Sequence, residues 1–346
     1  MAKKHGKPKP APGILGEDGI IELVRRQLDP DTGRVLLGAG ADDCAVISGP
    51  GGDTALLFTT DAMVQDVHFR LDWSSPYQVG WKALAAAVSD IGAMGGRPLA
   101  AVAAVGLTGN EKESTLRELA RGMNAAGRLL GCPVAGGDTV RSPRALSVTV
   151  SVIGEAGRDA VITRKGARPG DVLLLIGDIG AAAAGFEVLR AKDKKDMGAA
   201  ERRVVQRHLA PEPPVAAGRI AAAAGGVTAM MDLSDGLAAD LPRLCARSGV
   251  GAVVRAADLP IHPDTARACR NLGLDSLAAA VSGGEDYALL LAAHPDRCEA
   301  MAAAVSAAAN VTVTIIGEVT DQARGLVLLA PDGNPMPWPE PGFKHF

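Results

Sequence analysis

The chain has 346 residues, a formal net charge of −3 and 47% hydrophobic residues, but only 3% aromatic residues. The length allows two domains of ordinary size, and the composition is that of a soluble globular protein. A duplex-DNA binder needs a basic face and a single-strand binder needs stacking aromatics, so both classes are disfavoured.

Apolar patterns predict the elements of the first half. Residues 19–28 have helical spacing, and residues 55–60 predict a buried strand that runs into Asp61. The other predicted elements are a helix over 77–94 that carries Asp90 near its end, a strand over 99–107, a helix over 111–130 capped by Asn110, a sharp turn at CPVAGGDT and a strand over 145–156.

The second half repeats this alternation after a Gly- and Pro-rich turn at 164–171. Its predicted elements are strands in DVLLLIGDIG, VTAMMDLSDG, GVGAVVRAADL, YALLLAAH and VTVTIIGEV, with helices over 180–190, 198–208, 213–224, 237–248 and 295–309. Both halves are therefore α/β or α+β, and the short apolar runs leave open whether the sheets are parallel or antiparallel. We expect a basic tail over 1–13 and domains over 14–157 and 158–346.

Cysteine usage and hydropathy indicate a reducing compartment, and we expect a cytoplasmic protein. The five cysteines form no CxxC pair, and their number is odd. No stretch of 18 uncharged apolar residues occurs, so no membrane span is expected. The start, MAKKHGKPKPAPG, has no apolar segment behind it and is typical of a disordered tail, not a signal peptide.

Seven aspartates stand in short, otherwise apolar or small segments at five places along the chain. They are Asp42, Asp43, Asp61, Asp90, Asp138, Asp232 and Asp235. Carboxylates in such surroundings are costly unless cations pair with them, and only His68 and Arg141 lie close in sequence. Oxygen ligands without Cys or His favour Mg²⁺ over zinc, so the sequence predicts a magnesium cluster.

Each motif alone also has an ordinary structural explanation. An Asp beside Gly is commonly a turn residue or a helix cap, and an ordinary surface or half-buried position is the first interpretation of His68. GAGADDC lacks the final Gly of the dinucleotide fingerprint, and no GxxxxGK[ST], GxSxG or HExxH occurs. Five separate Asp segments are hard to explain by capping, and metals that bridge phosphate oxygens suit phosphoryl transfer.

Eight segments in order resemble the thiamine-monophosphate kinase family, the thiamine-phosphate member of the superfamily that includes aminoimidazole ribonucleotide synthetase. They are GADDCAVI, LLFTTDAMVQDVHF, WKALAAAVSDIGAMGGRP, AGGDTVRSP, VITRKGARPGD, MDLSDGLAADL, SGGEDYALLL and GFKHF. The combination is specific, although each segment alone is not.

The resemblance implies ATP- and Mg²⁺-dependent phosphorylation of thiamine monophosphate to thiamine diphosphate, the last step of thiamine diphosphate biosynthesis, by direct in-line transfer. It also implies a two-domain PurM-like architecture of the α/β (α+β) class. In that architecture the N-terminal domain pairs with its copy in a homodimer, and the C-terminal α/β domain completes the site. No nucleic acid or membrane partner is implied.

Site residues follow from the resemblance position by position. The implied metal ligands are Asp43, Thr59, Thr60, Asp61, Asp90, Asp138, Asp232 and Asp235, with Asp61, Asp90 and Asp232 as the catalytic set. The implied nucleotide contacts are Gly137, Asp138, Arg164 and Ser234, and the implied substrate contacts are His68, Glu285 and Phe343. Two positions depart from the family: Thr59 replaces a serine, and Phe343 replaces a tyrosine and so lacks its hydroxyl.

Two alternatives remain at this point: another ATP-using enzyme of the superfamily, and a non-catalytic nucleotide-binding protein. Selenophosphate synthetase would carry a reactive Cys or selenocysteine before Cys44, and the hydrogenase-maturation member ends in a cysteine, whereas this chain ends in His-Phe. Retention of every acidic ligand counts against simple binding.

Overall fold

The computed structural model describes residues 16–28 and 33–342. The predicted tail over 1–13 and the predicted substrate contact Phe343 therefore lie outside the described residues. Within the described ranges, no helix combines the length and the apolar character that crossing a bilayer requires.

Residues 33–157 form one six-stranded sheet with helices packed on one face. The elements up to Gly157 are α1 (Glu17–Arg25), β1 (Val35–Leu37), β2 (Ala45–Ser48), β3 (Thr54–Val64), α2 (Pro76–Ala93), β4 (Arg97–Leu107), α3 (Glu113–Leu130), β5 (Val134–Arg141) and β6 (Ser147–Gly157). The strand order is β1-β2-β3-β6-β4-β5, antiparallel except for the parallel β4–β5 pair. Because side chains alternate along a strand, Val148 and Val150 of β6 are buried in the core while Thr149 and Ser151 lie on the other face.

The face of this sheet that α2 and α3 leave uncovered carries exposed apolar residues. Phe58, Val102 and Val140 are 46%, 48% and 53% exposed, although they lie within strands β3, β4 and β5. We call this surface the outer face of the first sheet. Exposed apolar residues grouped on a sheet face are typical of an interaction surface.

Residues 172–336 form a second sheet whose two faces are both covered. Its elements are β7 (Val172–Ile176), α4 (Ala181–Ala191), α5 (Ala199–Leu209), α6 (Val215–Ala224), β8 (Val227–Asp232), α7 (Leu237–Ser248), β9 (Val250–Arg255), α8 (Pro263–Asn271), α9 (Ser276–Ser282), β10 (Leu289–Ala293), α10 (Pro295–Ala309), β11 (Val313–Asp321), β12 (Leu326–Leu329) and β13 (Pro335–Met336). The order is β13-β12-β9-β11-β7-β10-β8, and the β12–β9 pair is parallel. In β7, Leu173 packs with the core on the α7 side, whereas Leu174 packs with α6 and α10.

Helix α2 belongs to the first half but also packs on the second. It starts with a capping box between Ser75 and Gln78, and Pro76 occupies its first turn. Near its end it crosses α6 at two glycines: a Cβ on Gly218 would lie 2.2 Å from the carbonyl oxygen of Gly92. This close approach fixes α2 against the second half of the chain.

The predicted mixed α/β class is confirmed, and the sheets prove mainly antiparallel. The predicted helices over 77–94, 237–248 and 295–309 agree with α2, α7 and α10 to within a residue. The predicted strand over 55–60 is longer and continues through Asp61 to Val64, with alternating burial.

Two first-half predictions are wrong. Asn110 does not cap α3, which starts at Glu113 after Lys112; instead the Glu111 carboxylate accepts hydrogen bonds from Thr108 and Gly109 in the preceding turn. CPVAGGDT is not a sharp turn, because its residues from Val134 onwards belong to strand β5. Its glycines allow close parallel pairing with β4.

Helices α8 and α9 and strands β12 and β13 have no counterpart among the predicted elements. They have nine, seven, four and two residues respectively. Elements this short carry too few residues for hydrophobic periodicity to be recognised.

Candidate active site

An acidic cluster forms where the two halves of the chain meet. Carboxylate oxygens of Asp43, Asp90 and Asp232 all lie within 4.8 Å of one another. Asp43 lies in the turn before β2, Asp90 in the last turn of α2, and Asp232 is the last residue of β8. The fold thus brings together aspartates that are up to 189 positions apart in the sequence (232 − 43).

The electrostatics of this cluster favour a bound cation. Burial, reinforced by the neighbouring aspartates, raises the pKa of Asp90 and of Asp232 well above the ordinary carboxyl value. Burial also raises the pKa of Asp43, although Arg164 opposes this shift. Since like charges in a buried site repel one another, these carboxylates can be ionised together only if cations balance them.

The donor set fits a divalent cation such as Mg²⁺. The Asp43 side chain is fully buried, and among the described residues its Oδ2 has no hydrogen-bond partner. The donors offered are carboxylate oxygens, which Mg²⁺ prefers over nitrogen or sulfur. Hydroxyls orient the other carboxylates: Thr59 Oγ1 donates to Asp90 at 2.5 Å, and Ser89 Oγ donates to Asp232 at 2.6 Å.

Strand β3 divides its three predicted ligands between its two faces. Asp61 lies on the cluster side, and burial together with Asp43 and Asp235 raises its pKa to about 6. Thr59 lies on the same side. The Thr60 side chain lies on the outer face, where its hydroxyl accepts a hydrogen bond from Ser151 at 3.0 Å, so it does not reach the cluster.

Arginines from the second half supply the positive charge. Arg164 forms an ion pair with Asp43, and its backbone N–H donates to Asp42. Arg243 donates to Asp235 at 2.5 Å and to the buried Asp240 at 2.8 Å. The sequence analysis counted only His68 and Arg141 as cations close to the aspartates, and it missed Arg243, which lies eight residues after Asp235 on helix α7.

Glu285 lies in a loop that packs on the segment after β8. Its backbone N–H donates to the carbonyl of Ser234 at 2.7 Å. Its carboxylate contacts Lys82 Nζ at 2.6 Å and lies 3.2 Å from His208 Nδ1. Burial alone would raise the pKa of Glu285, but Lys82 and His208 outweigh burial and hold it below its ordinary value.

His68 occupies the turn after β3. Its Nδ1 accepts a hydrogen bond from the backbone N–H of Val64 at 3.0 Å, so the ring is fixed against the end of the strand. This bond is compatible both with a structural position and with a ligand contact through the other ring nitrogen.

Gly137 and Asp138 are not brought to the cluster within one chain. The register places Gly137 in one row with Ala103, Val150 and Asp61, on strands β5, β4, β6 and β3. Three strand spacings separate Gly137 from Asp61, roughly 14 Å. Asp138 is exposed and lines an outer-face depression of about 290 Å³ together with Val102, Ala103, Ala104, Gly137, Thr149 and Ser151.

Several site residues escaped the sequence analysis. They are Lys82, Ser89, His208, Asp240 and Arg243. Two of them, Lys82 and Ser89, had a local signal. They lie seven residues apart on the helix that carries Asp90, and residues seven apart share a helix face. No local pattern marks His208, which reaches the site only through the tertiary fold. Arg243 did have a local signal, because it lies three residues after Asp240 on the same helix.

Comparisons with known proteins agree with this arrangement of two halves. The family described as AIR synthase related protein, N-terminal domain, matches residues 41–156, and the corresponding C-terminal domain family matches residues 168–329. The chain is 42% identical over 293 residues to the thiamine-monophosphate kinase of Mycobacterium tuberculosis H37Rv, covering 83% of this chain and 84% of the relative.

Two further similarities extend over more of the known protein. The thiamine-monophosphate kinase of Bacillus subtilis strain 168 is 34% identical over 85% of this chain and 92% of its own length. A solved structure of AaThiL complexed with AMPPCP and TMP superposes with a TM-score of 0.83 at 31% identity, covering 96% of this chain and 97% of that one.

Proposed function

Because the chain belongs to the thiamine-monophosphate kinase family, we propose that it phosphorylates thiamine monophosphate to thiamine diphosphate with ATP. The observation that carries this proposal is the convergence of Asp43, Asp90 and Asp232 from both halves of the chain into one buried cluster. Such a cluster suits the transfer of a phosphoryl group between two anions.

The transfer itself requires little covalent chemistry from the protein. An anionic oxygen of the acceptor phosphate forms a bond to the γ-phosphorus while the bond to the bridging oxygen breaks, and that electron pair leaves with ADP. Since the acceptor oxygen is already deprotonated, no strong general base is needed. The main barrier is the repulsion between the two phosphates, which positive charge must offset.

The chain's own residues divide this task. Asp43, Asp90, Asp232 and the adjacent Asp61 would hold Mg²⁺, which when bound neutralises phosphate charge. Thr59 and Ser89 keep two of these carboxylates in fixed orientations. Arg164, at the edge of the cluster, is a candidate contact for an ATP phosphate. Ser234, in the loop after β8, is a second candidate nucleotide contact.

Substrate recognition is proposed for a second group of residues, other than the aspartates of the acidic cluster. Glu285 presents a carboxylate that is 33% exposed, suited to the cationic and amino-substituted rings of thiamine. His68 would contact the acceptor phosphate or the linker next to it. Phe343 remains a candidate ring contact from outside the described residues.

The outer face of the first sheet supports a homodimer, with a domain boundary near residue 157. Asp138 lies on that face, away from the cluster of its own chain. A second copy packed there would cover the exposed Phe58, Val102 and Val140 and bring Asp138 towards another molecule. The five cysteines are all free and buried, which supports a cytoplasmic location.

The test is turnover by the purified protein. With ATP, Mg²⁺ and thiamine monophosphate, we expect thiamine diphosphate and ADP in equal amounts, and no product when EDTA removes the metal. Unphosphorylated thiamine serves as the control acceptor. ATP turnover with aminoimidazole ribonucleotide precursors, and none with thiamine monophosphate, would overturn the assignment.

A further inference from the structure

A buried lysine from the first half of the chain forms an ion pair with the Glu285 carboxylate. Lys82 lies on α2, its side chain is 5% exposed, and its Nζ is 2.6 Å from Glu285 Oε1. On the other side His208 of α5, 10% exposed, lies 3.2 Å from Oε2, without hydrogen-bond geometry. Elements from both halves of the chain therefore contact the same carboxylate.

The backbone of Glu285 is also held in a fixed conformation. Its φ is +67°, a left-handed conformation that a residue with a side chain rarely adopts. Hydrogen bonds maintain this conformation: Glu285 N–H donates to Ser234 O, and Tyr287 N–H donates to Leu233 O at 2.9 Å. The intervening Asp286 carboxylate accepts from the N–H groups of Gly180 and Ala182 at the start of α4. A strained residue held by its surroundings in this way is typical of a functional position.

Within this group, exposure is concentrated on Glu285. The side chains of Lys82 and His208 are 5% and 10% exposed, whereas that of Glu285 is 33% exposed. A ligand can thus reach the carboxylate but neither of the groups that orient it. Since a buried ammonium needs an opposite charge, Lys82 and Glu285 form a pair whose geometry is set before any ligand binds.

We propose that Lys82 is a positioning residue for the acceptor substrate: it fixes the Glu285 carboxylate so that its exposed part receives an N–H donor from an amino group on a heteroaromatic ring. The inference rests on the proposed function, which supplies an acceptor with such a ring. Because Lys82 already balances much of the charge on Glu285, the carboxylate acts chiefly through the direction of its free lone pairs. Recognition therefore depends on hydrogen-bond geometry more than on net charge.

The first test removes the ammonium while keeping the length of the side chain. In Lys82→Met we expect the KM for thiamine monophosphate to rise by about 10- to 100-fold, because the carboxylate loses its fixed orientation. The KM for ATP should stay within about twofold, since among the described residues the Lys82 ammonium pairs with Glu285 and with none of the cluster aspartates. Lys82→Arg, which keeps the charge, should recover part of the loss.

A double variant separates positioning from simple structural support. If Lys82 acts through Glu285, then Lys82→Met in a Glu285→Gln background should raise the KM for thiamine monophosphate no further than Glu285→Gln alone. Additive effects, or equal rises in both KM values, would show a merely structural role and overturn the inference.

A matched ion pair away from the site serves as the control. Lys192 Nζ lies 2.6 Å from Glu201 Oε1, and Glu201 is buried. Lys192→Met therefore removes a similar pair, and we expect unchanged KM values for both substrates. If Lys82→Met does not fold, Lys82→Gln takes its place in the same comparison.

Binding without turnover distinguishes failure of this inference from failure of the proposed function. Calorimetric titration of the wild-type protein and of Lys82→Met with thiamine monophosphate should show a matching loss of affinity in the variant. If the wild type binds thiamine monophosphate but does not phosphorylate it, the proposed function fails and the titration still tests Lys82. Equal affinity of the two proteins, or no binding by the wild type, overturns the inference.

Discussion

At the scale of single residues, the acidic cluster couples folding to cation binding. Asp43, Asp90 and Asp232 repel one another in a buried site, and hydroxyls and arginines offset only part of that repulsion. A carboxylate removed from this cluster should therefore affect stability and activity in opposite directions.

Asp90→Asn tests this coupling. Without metal, the variant should melt at a higher temperature than the wild type, because a neutral amide avoids the unfavourable burial and the repulsion that raise the pKa of Asp90. We expect added Mg²⁺ to raise the melting temperature of the wild type but not that of the variant, and the kcat of the variant should be lower by about 100-fold or more. Asp53→Asn, in the exposed turn before β3, is the control and should match the wild type. A wild-type Mg²⁺ response in Asp90→Asn would contradict the cluster as a metal site.

His208 predicts a specific loss of stability in mild acid. Burial lowers the pKa of His208 from its ordinary value of 6.5, and Lys82 adds to that shift while Glu285 opposes it. The unfolded chain therefore takes up this proton at a higher pH than the folded protein. The contribution of His208 to stability is thus present above pH 6.5 and is lost as the pH falls below that value.

Thermal denaturation at pH 8 and pH 5.5 measures this effect. Between pH 8 and pH 5.5, the melting temperature of the wild type should fall further than that of His208→Gln, in which the titrating group is absent. Glu285 does not titrate in this window, because its pKa is held low, and Lys82 is the other charged group that faces the ring. His294→Asn, at an exposed helix start, should behave like the wild type, and an equal slope in His208→Gln would contradict the prediction.

At the scale of elements, the glycines of β5 show why a loop-like pattern formed a strand. A Cβ on Gly137 would lie 1.8 Å from the carbonyl oxygen of Ala103, whereas a Cβ on Gly136 would meet nothing within 4 Å. Gly137 is thus required by the close pairing of β4 and β5, independently of any ligand.

The two neighbouring glycines provide a matched pair of variants. Gly137→Ala should destabilise the protein by about 3 kcal/mol or more, since backbone atoms must move apart. Gly136→Ala should be close to neutral. Urea denaturation measures both, and equal stability of the two variants would show that the strand pairing tolerates the methyl group.

The sequence predictions succeeded where the signals are local along the chain and failed where they depend on residues distant in the sequence. Helices α2, α7 and α10 could be predicted because their signals are local: α2 and α10 have a proline start and a capping residue, and the apolar spacing of α7 lies within its own sequence. Strand β5 could not, since its glycines are explained only by a neighbouring strand.

The same distinction applies to the site. The aspartates could be identified because each lies in a short motif of its own, and the family resemblance assigned roles to most of them. The pairing of Lys82 and of His208 with Glu285 could not be predicted, because these contacts join separate elements of the fold. The faces of β3 and β5 also had to be seen, since a motif does not say to which side Thr60 or Asp138 points.

At the scale of the whole molecule, the placement of Asp138 links activity to assembly. Asp138 and Asp61 belong to one implied ligand set, yet they lie on opposite faces and roughly 14 Å apart across three strand spacings. If the outer faces of two chains pack together, Asp138 lies in the interface between them, where it approaches the partner chain and not the cluster of its own chain.

Complementation between two inactive variants tests this arrangement. Asp61→Asn and Asp138→Asn chains, co-expressed with different affinity tags, give a mixed dimer in which one site has both wild-type residues. We expect this dimer to recover about half of the wild-type activity if Asp138 acts across the interface. An inactive mixed dimer would mean that each chain uses its own Asp138, and failure to isolate any mixed dimer would contradict the proposed assembly.

Helix α2 also sets a length for the acceptor molecule. Lys82, which holds Glu285, and Asp90, in the acidic cluster, lie on this one rigid helix, and eight residues of rise separate their α-carbons by about 12 Å along its axis. Because both residues lie on the same helix, and this helix packs closely on α6 where Gly92 meets Gly218, we expect that distance to change little when a ligand binds. An acceptor with the same ring but a shorter connection to its phosphate would occupy the ring position and stop short of the reacting phosphate, so it would be an inhibitor and not a substrate.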